Sequence, residues 1–229
     1  MRQSLPPWVP YVVPFAVYLV LTGVEVRFPA YYPQFYTVKI VLATIVAFAL
    51  KSPAATTGAS PVRGRWIWFA VAVVAGVFLN WAWFIVDAHT PHPRRLTQIM
   101  GTRPAYDPFT AIVDPVWRLV FLAVRFGGLA VLIPYLEERF YRDFLLRYVI
   151  DPADFRRIPV GKVDPAGVAF STILFASTHP EWLAAVVFGL SMCALVRYSK
   201  DIRVCMLAHG VTNLALGITV LSTGNWKYW

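Results

Sequence analysis

The chain has 229 residues, of which 58% are hydrophobic and 14% are charged, and its mean hydropathy is +0.58. Soluble domains carry about 25% charged and about 45–50% apolar residues, so this composition excludes a disordered chain, a soluble nucleic-acid-binding protein and an ordinary cytosolic enzyme. The formal net charge of +9 comes from basic residues that lie mostly between apolar runs, where they set topology and contact anionic headgroups. We expect one membrane domain over residues 1–229, with the lipid bilayer and no nucleic acid as its surroundings.

Apolar runs along the chain predict the membrane helices. A span needs about 20 apolar residues, and the candidate segments cover residues 8–24, 35–50, 66–86, 116–150, 166–178, 182–198 and 204–221. We interpret the first run as a retained span and not as a signal peptide, because it is long and has no clear cleavage site. The predicted fold class is all-α, a polytopic transmembrane helical bundle of seven spans, or of eight if the 116–150 helix breaks near Pro134.

The basic residues predict an orientation for seven spans, with the N-terminus inside the cell. Six fall outside: Arg27, Lys39, Arg94, Arg95, Arg103 and Lys227. Eleven fall inside: Arg2, Lys51, Arg63, Arg65, Arg147, Arg156, Arg157, Lys162, Arg197, Lys200 and Arg203. An excess of basic residues marks the cytoplasmic side. Lys39 is expected to snorkel to an interface, residues 226–229 (WKYW) to form an interfacial anchor, and Cys193 and Cys205 to be buried free thiols.

Two adjacent glutamates lie in the apolar stretch LIPYLEERFYRDFLL, where ionisable groups are costly and need a reason to be present. Glu138 and Arg142 are four residues apart with the acid first, the favoured order for an ion pair within a helix. Glu137 is turned about 100° away around the helix, and Tyr141 is its neighbour one turn later. We therefore predict that Glu138 is paired and that Glu137 is a desolvated carboxylate available for general acid–base chemistry.

The four histidines fall into two pairs. His89 and His92 lie in DAHTPHP and are interpreted as solvated loop residues, whereas His179 ends the apolar run ILFASTHPEW. His209 lies within CMLAHGVTNLAL, with Asn213 one turn later on the same face. A histidine in a span is often a hydrogen-bonded core residue, and that alternative stays open. Because unpaired polar groups are expensive in lipid, we expect the intramembrane polar groups to converge on one cavity: Glu137, His179, His209 and Asn213.

Three short motifs follow one another in the second half of the chain, each on an apolar segment. They read EERFYR (137–142), FASTH (175–179) and HGVTN (209–213). In this order they resemble the CAAX protease and bacteriocin-processing family of intramembrane endopeptidases, which includes the type II CAAX prenyl endopeptidases. The resemblance implies a catalytic core over residues 116–221. Asp143 departs from the glycine that the family often has after the motif arginine, and the first half of the chain carries no such motif.

The resemblance implies a role for each motif residue. Glu137 would activate a water molecule with help from His179, and His209 and Asn213 would donate hydrogen bonds to the developing oxyanion. Glu138 and Arg142 would hold these groups in place. This glutamate protease mechanism needs no cofactor. The alternative is a zinc ion bound by Glu137, His179 and His209, although the HExxH signature is absent.

The resulting functional hypothesis is an intramembrane endopeptidase that hydrolyses a peptide bond of a membrane-associated protein or peptide by glutamate-activated water. Its partners would be that substrate and the bilayer, and its location would be a multi-pass position in the bacterial cytoplasmic membrane. The alternative is a non-catalytic scaffold or immunity protein, or a proton-coupled transporter, that uses the same polar cluster. Transporters more often show inverted repeats and broken helices, and the sequence shows no internal repeat.

Overall fold

The computed structural model describes residues 5–50, 65–91 and 105–229. Its regular structure in these ranges is helical, which confirms the all-α prediction. Seven principal helices follow one another: α1 (Val9–Glu25), α2 (Tyr32–Ala49), α3 (Arg65–His89), α4 (Pro115–Ile150), α5 (Pro165–Ala176), α6 (Trp182–Ser199) and α7 (Ile202–Thr223). Each predicted apolar run corresponds to one of them.

The helix ends follow from local sequence. The side chains of Asp114 and Asp164 accept hydrogen bonds from the first turns of α4 and α5, and a proline follows each of them. This is the favoured arrangement because proline has no N–H to leave unsatisfied in a first turn. The Asp201 side chain likewise accepts a hydrogen bond from the first turn of α7. At its other end α7 stops at Gly224, whose φ of 68° is left-handed and suits glycine.

Five of the helices, α2, α3, α4, α6 and α7, are long and apolar enough to cross a membrane. The helices α1 and α5 are also apolar but have only 17 and 12 residues. Helix α4 has 36 residues and is continuous through Pro134, so the described chain has seven apolar helices and not eight. The protein is therefore an integral membrane protein.

Two π-helical turns, Gly128–Leu132 and Arg139–Leu145, widen α4 without breaking it. The first of them ends two residues before Pro134, which has no N–H to donate to the preceding turn. The carbonyl of Leu129 in this turn accepts a hydrogen bond from Nδ2 of Asn213 on α7, at 3.0 Å. A partner from another helix thus satisfies part of the backbone that the irregular turn exposes.

Helix α7 lies between α3 and α4 in direct backbone contact with both. A Cβ at Gly76 would lie 2.6 Å from the carbonyl oxygen of Ala208, and one at Gly210 would lie 2.5 Å from that of Ala130. Oγ1 of Thr212 also donates a hydrogen bond to the Gly76 carbonyl at 3.1 Å. Small residues permit such close helix contacts in membranes, and here they hold the polar residues of α7 against α4.

One sequence prediction about the surface is wrong. Lys39 does not snorkel: it is 3% exposed, and its Nζ lies 2.7 Å from Oε2 of Glu25. In the terminal segment, Tyr228 and Trp229 are buried against the bundle. The Tyr228 hydroxyl donates to the Asp87 carboxylate, and the Trp229 ring lies 6.1 Å from that of Phe126. Cys193 and Cys205 are buried and free, as predicted.

Candidate active site

Glu137 and Glu138 lie at the end of the regular turn of α4 that separates its two π-helical turns. Glu138 and Arg142 are fully buried, and Nη1 of Arg142 donates to Oε1 of Glu138 at 3.0 Å. The predicted pairing within the helix is confirmed. The Arg142 guanidinium also lies 4.8 Å from the centre of the Phe175 ring.

His209 joins the two glutamates. Its Nδ1 lies 2.8 Å from Oε1 of Glu138, and its Nε2 lies 3.7 Å from Oε2 of Glu137. Because a carboxylate only accepts hydrogen bonds, we assign the proton to Nδ1. In the neutral imidazole the lone pair on Nε2 then faces Glu137, so one histidine can exchange a proton with Glu137 while Glu138 holds its ring.

The Oε2 atom of Glu137 is buried without a hydrogen-bond partner in the described ranges. Only 7% of the residue is exposed. The ionisable groups that interact with Glu137 include His209, Glu138 and Arg142. The centre therefore contains two carboxylates, of Glu137 and Glu138, and one guanidinium, of Arg142. Oε2 of Glu137 is the carboxylate oxygen available to a reacting molecule.

His179 and Asn213 lie at the edges of this centre. His179 is half-buried three residues after the end of α5, and its Nδ1 lies 2.9 Å from the carbonyl oxygen of Phe175. The Phe175 ring stacks on His179 with the centres 4.4 Å apart and also lies 6.3 Å from the His209 ring. Asn213 is half-buried and directs one N–H to the Leu129 carbonyl. Phe175, which sequence reasoning gave no role, thus contacts both imidazoles.

The remaining candidates lie elsewhere. His89 is exposed at the end of α3, and its Nδ1 lies 2.8 Å from the carbonyl oxygen of Ile85, whereas His92 is outside the described residues. Within the described part of the chain, no three His, Cys, Asp or Glu side chains form a group that could hold a metal ion. The set Glu137, His179 and His209 is accordingly not such a group in this structure.

The sequence prediction missed a second ion-pair series along α4. Asp143 is buried and pairs with Arg139 at 2.8 Å and with Arg147 one turn on the other side. Arg147 also donates to the carbonyl of Ile158 in the following loop. The spacing of four residues between successive members could have indicated this series. Asp143, the departure from the family pattern, therefore pairs with one buried and one half-buried arginine.

Fold and site together define a helical integral membrane protein with a glutamate, arginine and histidine centre inside the bundle. Residues 116–215 match the family model described as Type II CAAX prenyl endopeptidase Rce1-like. This match over residues 116–215 confirms the resemblance read from the three motifs. The matched range contains all three of them. No curated protein and no solved structure was found to match the chain.

Proposed function

We propose that the chain is an intramembrane endopeptidase that hydrolyses a peptide bond of a membrane-associated protein or peptide. The observation that carries this proposal is the buried Glu137 carboxylate, which has an uncommitted oxygen 3.7 Å from His209. It lies within a domain of an endopeptidase family. A packing role alone would not require two carboxylates in an apolar bundle.

In the proposed reaction, Glu137 takes a proton from water as the water oxygen attacks the carbonyl carbon of the scissile bond. The proton is then delivered to the amide nitrogen, the C–N bond breaks, and Glu137 returns to its ionised form. General acid–base catalysis of this kind contributes about 10²–10⁴-fold in rate. His179, on the resemblance, assists the water.

His209 and Asn213 are the proposed donors to the oxyanion. Nδ1 of His209 faces Glu138 at 2.8 Å, so His209 can donate from Nε2 only as an imidazolium. Asn213 uses one amide N–H on the Leu129 carbonyl, and its second N–H is the one available to a substrate. Glu138 and Arg142 act as positioning residues for this centre.

The test is cleavage of membrane-associated peptides, prenylated and unprenylated, by the protein purified in detergent. We expect Glu137→Gln to abolish cleavage and to leave the melting temperature near that of the parent. Asp154→Asn, in the loop before α5, is the matched carboxylate control and should cleave normally. Full activity of Glu137→Gln would refute the assigned base. A parent protein that cleaves no peptide would favour the scaffold or transporter alternative.

Metal removal separates the two catalytic alternatives. We expect a strong chelator to leave cleavage unchanged, because the proposed mechanism activates water without a metal ion. The measurement is the initial rate after prolonged chelation, with a known zinc peptidase as the positive control. Activity that is lost on chelation and restored by stoichiometric zinc would replace this mechanism with the zinc alternative.

A further inference from the structure

A second group of buried charges lies between α1, α2 and α4. Nζ of Lys39 lies 2.7 Å from Oε2 of Glu25, and both residues are buried. Arg125 on α4 is 9% exposed, and its guanidinium lies 4.6 Å from the centre of the Tyr36 ring and 5.2 Å from that of Trp229. We call these residues, Glu25, Lys39, Arg125, Tyr36 and Trp229, the α1–α2–α4 cluster.

This cluster carries one positive charge in excess. Lys39 and Arg125 are set against the single carboxylate of Glu25. All twelve acidic residues of the sequence lie in the described ranges, and none of them forms an ion pair with Arg125 there. Nε of Arg125 is buried and has no hydrogen-bond partner in the same ranges. A buried cation without a counter-charge is costly in a membrane and marks a functional site.

The cluster shares helix α4 with the proposed catalytic centre. The Tyr18 side chain on α1 interacts electrostatically with Glu137 and also with Arg125 and Glu25. The Lys39 ammonium lies 5.1 Å from the centre of the Tyr18 ring. Arg125 precedes Glu137 by twelve residues, about 18 Å along the axis of α4. An extended peptide covers that distance in about five residues.

We propose that Arg125, with Lys39 beside it, binds a carboxylate of the peptide substrate about five residues from the scissile bond. This inference rests on the proposed function. The guanidinium fork matches a carboxylate with two parallel hydrogen bonds. The rings of Tyr36 and Trp229 pack against the guanidinium, and its Nε has no hydrogen-bond partner in the described ranges. The bound carboxylate would neutralise the excess charge and fix the register of the peptide relative to Glu137.

Peptide binding to the Glu137→Gln variant tests the assignment without turnover. Three versions of one cleaved peptide are compared, each ending five residues beyond the scissile bond. One has a free C-terminal carboxylate, one is amidated, and one is amidated with Asp as its last residue. We expect the neutral amide to bind about 10–100-fold more weakly than the free acid. If the amidated peptide that ends in Asp binds as tightly as the free acid, a side-chain carboxylate is sufficient. If it binds as weakly as the neutral amide, Arg125 binds the terminal carboxylate.

When Arg125→Gln is added to the Glu137→Gln variant, the acid and amide peptides should bind with equal affinity. Arg118→Gln is the matched control, because Arg118 lies on the same helix and donates to the carbonyls of Phe109 and Ile112; it should keep the difference. We expect Arg125→Gln to melt at or above the parent temperature, since it removes an uncompensated charge. If it does not fold, Arg125→Lys replaces it and should reduce the difference. An unchanged acid-to-amide ratio in the folded variant would overturn the proposal.

A ligand test without peptide separates this inference from the proposed function. Hexanoate should raise the melting temperature of the parent and not that of the Arg125 variant, whereas neutral hexanamide should raise neither. This outcome would support the carboxylate site even if the parent cleaved no peptide. The proposal is overturned if hexanoate has no Arg125-dependent effect. It is also overturned if only a lipid with a phosphate headgroup stabilises the parent through Arg125.

Discussion

Glu137 and Glu138 are neighbours in sequence, yet their surroundings give them different chemistry. Oε1 of Glu138 is shared by Arg142 and His209, at 3.0 and 2.8 Å. Oε2 of Glu137 accepts no hydrogen bond within the described ranges. The helical spacing was enough to predict the Arg142 pair. The contact with His209 joins residues 71 positions apart, and no local sequence pattern predicts such a contact.

Glu138→Ala should lower both stability and activity. It leaves Arg142 buried without its carboxylate, and breaking a buried pair costs about 3–5 kcal/mol. It also releases the ring of His209. Glu137→Ala is the comparison variant, because it removes a carboxylate of similar burial that holds no arginine. Thermal unfolding and cleavage are measured together, and equal melting temperatures with activity lost only in Glu138→Ala would reverse the two roles.

At the scale of the helices, composition and local patterns were largely sufficient. Long apolar runs predicted all seven helices, with ends within a few residues of those observed. The sequence alone does not decide whether α4 breaks at Pro134. That depends on the π-helical turn Gly128–Leu132 and on the Asn213 side chain from α7. Helical periodicity reports one helix at a time, and this turn is completed by another helix.

Asn213 connects that turn to the proposed oxyanion site, so Asn213→Ala should have two separable effects. Loss of the hydrogen bond to the Leu129 carbonyl should cost about 1 kcal/mol of stability. Loss of an oxyanion donor should reduce kcat by about 10²–10³ and change KM little. Steady-state kinetics and thermal unfolding distinguish them. Reduced stability with an unchanged kcat would show that Asn213 serves only the backbone of α4.

At the scale of the whole molecule, the sequence predicted membrane insertion but not which charges lie inside the bundle. The prediction that Lys39 lies at an interface is wrong because its buried partner, Glu25, is on another helix. The excess charge at Arg125 was not recognised for the same reason. Residues 226–229 have the composition of an interfacial anchor, yet Asp87 on α3 binds both Lys227 and Tyr228. Each of these outcomes depends on contacts between distant parts of the chain.

The structure groups the basic loops at one end of the bundle. The Tyr11 ring, in the first turn of α1, lies 5.3 Å from that of Phe155 in the loop after α4. In the same loop, a Cβ at Gly161 would lie 2.7 Å from the Val196 carbonyl near the end of α6. This end carries Arg156, Arg157, Lys162, Arg197, Lys200 and Arg203. At the opposite end, the Phe109 ring lies 6.1 Å from that of Trp226.

Because basic loops stay on the cytoplasmic side, we expect the end with Phe155 to face the cytoplasm. Ala153→Cys and Val113→Cys report the two ends, and both positions are exposed, Val113 by 91%. The natural cysteines are buried and should label little. A membrane-impermeant maleimide should label Val113→Cys in intact cells and Ala153→Cys only after permeabilisation. The reverse pattern would place the N-terminus outside and show that the eleven basic residues assigned to the inside do not set the orientation.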